Sequence, residues 1–181
     1  IDNGPFELAK DFASIWDMKN SDGNSNNEVM WYVDYSTNQL YNSELDDKPV
    51  IRNGGNNAHL LFCMKYDDQP GMTRSIEYGR PFNRYMPTRY LIDLFDEERD
   101  QRYGGSFRHL WIMNNEKGKG KYTAMADTAI YIIKREATAA QRAWAENRYQ
   151  LFDRNDIYNA DGSTKNMKQS LELCKFADPA R

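Results

Sequence analysis

Apolar positions fall at helical spacing in only a few places along this chain. Leu8, Phe12, Ile15 and Trp16 form one stripe, and Pro5 sits where a first helical turn tolerates a missing N–H, so a helix is expected over residues 5–18. Residues 28–36 alternate instead. Val29, Trp31, Val33 and Tyr35 oppose Met30, Tyr32 and Asp34, which predicts a strand. Pro87-Thr88 opens a second helix over about 88–97, where Tyr90/Leu94 and Leu91/Phe95 pair at i, i+4. The acids Asp96, Glu97 and Glu98 oppose the dipole at its end and should stop it. Residues 106–113 alternate again, with Phe107, His109, Trp111 and Met113 on one side, and Trp111 is expected to point inward. Residues 128–134 and 148–152 are further short strand candidates. Ala137 to Asn147 is alanine-rich and helical in propensity, weakened by Thr138 and Asn147. Leu171, Cys174 and Lys175 close the chain at helical spacing.

Between these elements the chain is dominated by breakers. Asn20 to Asn27 reads as an exposed turn, and Asn159-Ala160-Asp161-Gly162-Ser163 as another. From Thr37 to Gly79 the composition is that of a loop, interrupted by the apolar island Leu60 to Met64. No internal repeat appears at a solenoid period. The expected fold is mainly α, with loop-rich irregular regions and short β-hairpins. At 181 residues the chain reads as one domain or part of one, and its modest apolar content is not expected to close a core unaided.

The charge balance excludes little and points nowhere sharply. The net charge of -3 comes from interspersed acids and bases, without the concentrated basic face of a nucleic-acid binder. The run Lys117-Gly118-Lys119-Gly120-Lys121 reads as a solvated loop. Cys63 and Cys174 lie among apolar neighbours and read as free thiols without metal-ligand spacing. His59 and His109 stand 50 residues apart with no partner at ligand spacing, and no nucleophile elbow, phosphate loop or zinc-protease motif occurs. Adjacent acids such as Asp46-Asp47 and Asp67-Asp68 do not form an opposed carboxylate pair. No catalytic residue, metal site or cofactor is assigned. The informative excess is aromatic: 12 Tyr, 8 Phe and 4 Trp, a composition suited to stacking flat ligands or sugar faces. The chain starts at Ile1, which suggests that processing or excision removed an earlier start.

A string of segments carries a family resemblance. Asn27-Glu28-Val29-Met30-Trp31-Tyr32-Val33 is followed by Tyr66 to Arg74, Gly79 to Asp96, and Asp100 to Phe107 with Trp111 behind it. Asp127-Thr128-Ala129-Ile130-Tyr131, Tyr158 to Ser163 and Lys175 to Arg181 complete the series. In order and number these segments resemble the SusD/RagB family. The resemblance implies a cell-surface lipoprotein of the outer membrane in Bacteroidetes-type bacteria. Such a protein binds a glycan for nutrient uptake through a SusC-like TonB-dependent transporter, as part of polysaccharide utilisation. It implies no enzyme activity, and a membrane link only through a lipid anchor outside this chain. Residues 1–181 would be the central to C-terminal, non-repeat segment of a larger domain, without the flanking tetratricopeptide-type helices. Arg80, Pro81, Arg84, Tyr85, Pro87, Asp93 and Phe95 then read as structural, through an Arg–Asp pair and aromatic packing.

In the family, sugar-contacting aromatics lie on variable loops, so no motif position transfers directly. The loop between the Trp31 strand and Arg80 supplies the candidates: Tyr41, Phe62 and Tyr66 as stacking rings, with Asn42 and Asp67 to hold hydroxyls. A glycoside hydrolase and a surface adhesin or peptide-binding relative are the alternatives.

Overall fold

The structure, a computed structural model, describes residues 4–17, 27–30, 58–118, 120, 122 and 127–175. The chain divides into two units, Ile1–Ala58 and His59–Arg181.

In the first unit the expected helix over 5–18 shrinks to a single 3-10 turn, Ala13–Trp16. The reason lies in where the backbone donors go. The N–H of Glu7 donates to the carbonyl of Asn27 at 3.2 Å, and that of Ala9 to the Glu28 carboxylate at 2.7 Å. A donor committed across the chain cannot serve a helical ladder. The strand expected over 28–36 begins instead as turn and bend at residues 27–30, and the rest lies outside the described residues.

The second unit holds α1 (Ala58–Phe62, counted from His59), α2 (Arg89–Asp93), α3 (Gln101–Ser106), α4 (Ala139–Ala145) and α5 (Arg154–Ile157). Its strands are β1 (Phe107–Arg108), β2 (Leu110–Ile112), β3 (Thr128–Ile132), β4 (Gln150–Phe152) and β5 (Glu172–Leu173). One sheet is the antiparallel pair β1–β5, and the other runs in the order β2-β3-β4. The fold is therefore mixed α/β, and the expectation of a mainly α chain is corrected. No α-helix among the described residues exceeds the seven residues of α4, too few for helices to dominate. Nor do short hairpins account for the sheets. β2 and β3 are antiparallel across a long connection, while β3 and β4 are parallel, with Ile130 opposite Gln150 and Ile132 opposite Phe152. A parallel pair needs a crossover, and α4 supplies it.

Local chemistry sets the helix bounds. Thr88 accepts the Leu91 N–H at 3.2 Å and starts α2. Thr138, expected to weaken its helix, starts α4 through a reciprocal capping box with Gln141. The α3 helix spans Gly104-Gly105, a poor helical signal, and is held at its start by Asp100. The terminal piece is strand β5 rather than helix, because Leu173 pairs with Phe107 and Glu172 with Arg108.

Tyr66, Met64, Ile92, Trp111, Ile130 and Ile132 are fully buried in one cluster. Phe107, Trp111 and Met113 all face it, as their alternation predicted. Gly71 has φ +79°, and a Cβ there would meet the Met113 side chain at 2.8 Å, so both conformation and space call for glycine. Cys63 and Cys174 are free thiols, Cys63 buried and Cys174 partly so. No helix among the described residues is long and apolar enough to cross a membrane.

Candidate functional site

The crossover β3–α4–β4 leaves an open groove of about 460 Å³ in the second unit. One wall comes from α4 and its end, through Arg142, Ala143, Ala145 and Glu146. The other comes from Tyr149 and strand β4, with Tyr122 joining them. Among the described residues β4 is an edge of its sheet.

Its aromatic residues are held from behind. Tyr149 meets Tyr131 edge-on, with centroids 6.2 Å apart at 81°. Tyr131 meets His109 at 5.9 Å, and His109 stacks on Tyr103 at 6.5 Å and 15°. This relay of rings anchors Tyr149 to the interior, while Tyr149 itself stays partly exposed. Tyr122 and Phe152 are also partly buried and pack against the core. Burial raises the Tyr122 hydroxyl above its ordinary pKa, so it stays protonated and able to donate at neutral pH.

The polar side chains of the groove differ in how far they are engaged. Arg142 donates from Nη2 to Asp153 at 2.6 Å and to Asp156 at 3.2 Å. Asp153 is fully buried and saturated. Its Oδ1 accepts the N–H groups of Asn155 and Asp156 at the start of α5, and its Oδ2 also accepts the Ala137 N–H at 2.8 Å. Burial alone would raise its pKa, but these amides and the Arg142 charge outweigh it and hold the carboxyl below the ordinary value. Gln150 lines the groove with its side-chain nitrogen buried and without a hydrogen-bond partner among the described residues. An unmet buried donor costs about 1–3 kcal/mol, and a ligand in the groove would reach this nitrogen only if the Gln150 side chain turned outward.

The residues proposed from sequence do not gather here. Tyr66 is 0% exposed, so it cannot offer a ring face to a sugar. Its hydroxyl donates to the Gly79 carbonyl at 2.6 Å and accepts the Ser75 N–H at 3.2 Å, and its ring meets Tyr78 at 5.3 Å. That assignment is corrected: Tyr66 is a core residue that ties down its own loop. Phe62 is half-buried against Tyr85, centroids 5.5 Å apart. Asp67 is engaged by Lys65 at 2.9 Å and Arg74 at 2.7 Å. Tyr41 and Asn42 lie outside the described residues. Asp93 does not form the expected buried pair with Arg80 or Arg84: its partners are Arg89 at 3.3 Å and Arg154 at 3.8 Å, and the cluster is partly exposed. Arg80 instead covers the Phe82 ring at 5.2 Å.

Sequence reasoning passed over Tyr122, Tyr149 and Gln150. The available signal was weak: a strand candidate opening at residue 148 with a tyrosine and a glutamine at its start. Among the described residues no group of three His, Cys, Asp or Glu could hold a metal. Comparison with models of known protein families, with curated proteins and with solved structures found no match.

Proposed function

We propose that this chain binds a glycan without turning it over, as the sugar-holding component of an outer-membrane uptake system with a SusC-like TonB-dependent transporter. One observation carries the reading. Two tyrosines, Tyr122 and Tyr149, share an open groove with the amide side chain of Gln150. Sugars offer flat C–H faces and many hydroxyls. Rings held rigidly gain stacking without an ordering cost, and a lone amide aligns one oxygen. The likeness of the motif string to the SusD/RagB family supplies the cell-surface setting, the lipid anchor outside this chain and the transporter partner. It is a likeness in sequence segments and adds nothing to the geometry.

The groove is preferred here to the loop from Thr37 to Tyr78 as the sugar surface, because Tyr66, one of that loop's three candidate rings, is buried. Titration calorimetry against a panel of plant, fungal and host oligosaccharides tests the reading. Binding of at least one member, without release of reducing ends, is the expected outcome. Reducing-end release would favour a glycoside hydrolase, and silence across the panel would favour a peptide-binding or adhesive role.

A further inference from the structure

We infer that Arg142 is the polar anchor of the groove: held through Nη2 by two acids, it donates from Nη1 and Nε to an oxygen of the ligand. The inference rests on the glycan-binding reading above and adds a named contact to it. The chemistry it fits is an oxygen lone pair, which a sugar supplies from a hydroxyl or from a uronate carboxylate.

Arg142 lines the groove from α4, and its side chain is 45% exposed. Both of its ion pairs run through one nitrogen. Nη2 donates to Asp153 at 2.6 Å and to Asp156 at 3.2 Å, while Nη1 and Nε have no partner among the described residues. Glu146, one turn further along, lines the same groove and takes up neither nitrogen. The N–H groups on Nη1 and Nε are therefore unused, and each carries the strength of a charged donor.

An exposed arginine ordinarily loses side-chain freedom when it binds, which offsets much of what its hydrogen bonds contribute. Here that freedom is already lost on folding. Asp153 has no exposed side-chain surface, and it also accepts the N–H groups of Ala137, Asn155 and Asp156, so it cannot follow the guanidinium to a new position. A planar group tied at one corner to a fixed carboxylate keeps its remaining donors in a fixed plane. Arg148 provides the contrast. Its guanidinium lies 3.7 Å over the Trp144 ring, and its Nη1 donates to the Trp144 carbonyl at 2.8 Å, so it is engaged by its own segment. Tyr149 lines the groove with Arg142, which pairs a ring for a sugar's C–H face with donors for its oxygens.

The test uses the full chain, with neutral gluco-, manno-, galacto- and xylo-oligosaccharides in one arm and oligogalacturonate in the other. Arg142→Lys keeps a positive charge for Asp153 but lacks the planar fork. By calorimetry it should bind at least about tenfold more weakly than wild type whichever probes the wild type takes. A second measurement needs no variant: the Nε–Hε magnetic resonance signal of Arg142 in the wild-type chain, assigned through its backbone. It should shift on titration and saturate with the calorimetric Kd. A shift with neutral probes assigns a hydroxyl as the acceptor, and one confined to oligogalacturonate assigns the carboxylate. A probe that binds with this signal unmoved, or with equal affinity in folded Arg142→Lys, would overturn the anchor and leave glycan binding standing. Binding of no probe in either arm would overturn both.

Discussion

Arg142 and Asp153 meet at 2.6 Å, and this contact joins the helix that walls the groove to the cap of the next helix. Asp153 closes a reciprocal box with Asp156 at the start of α5 and accepts from Ala137 ahead of α4. One buried carboxylate thus ties the start of α5 to the residue that precedes α4.

Asp153→Ala should therefore destabilise the second unit by about 2–4 kcal/mol, combining a lost cap with an orphaned set of donors. Urea unfolding checks it. The carboxyl's folded pKa lies below its unfolded value, so its contribution is present above about pH 4 and lost as pH falls through the folded value. Acid unfolding of the variant should begin from lower stability and show a shallower pH dependence.

Glu172 gives the opposite sign. It is 2% exposed, accepts the Met64 N–H at 3.3 Å, and pairs with Arg108 at 3.0 Å. Burial pushes its pKa from 4.5 up to about 7, with Arg108 opposing the shift only in part. Folding then favours the protonated form. The contribution is full below about pH 4.5 and declines as pH rises through 7, by on the order of 3 kcal/mol. Stability curves between pH 4.5 and 8 should flatten in Glu172→Gln.

Tyr66→Phe removes the hydroxyl that bonds Gly79 and Ser75, and should cost about 1–3 kcal/mol. Its sugar affinity should equal that of the wild type once folded protein is compared. A loss of affinity at full folding would restore the loop as a ligand surface.

Trp111 is 0% exposed on β2, and Trp111→Ala should cost about 3–5 kcal/mol in thermal or chemical melts. This residue marks what was legible in the sequence. Period-two alternation placed Phe107, Trp111 and Met113 inward, and the short strand candidates 128–134 and 148–152 contain β3 and β4, although neither of these alternates between buried and wet positions. Long-range pairing was not legible. Nothing in residues 171–175 announces that Arg108 will pair with Glu172, and nothing in residues 5–18 reveals that Glu28 will take the Ala9 donor. The groove was hidden for the same reason. It exists only once the crossover through α4 brings Glu146, Tyr149 and Gln150 beside Tyr122. Loop composition pointed to Tyr66, but composition does not say which aromatic in a loop is its anchor.

The most direct measurement is calorimetric titration of wild-type chain and Tyr149→Ala with the oligosaccharide panel, alongside circular dichroism of both. The account predicts a saturable wild-type isotherm and a variant weakened by at least about tenfold, with an unchanged fold. Equal affinity in the two proteins, or binding by neither, would contradict it.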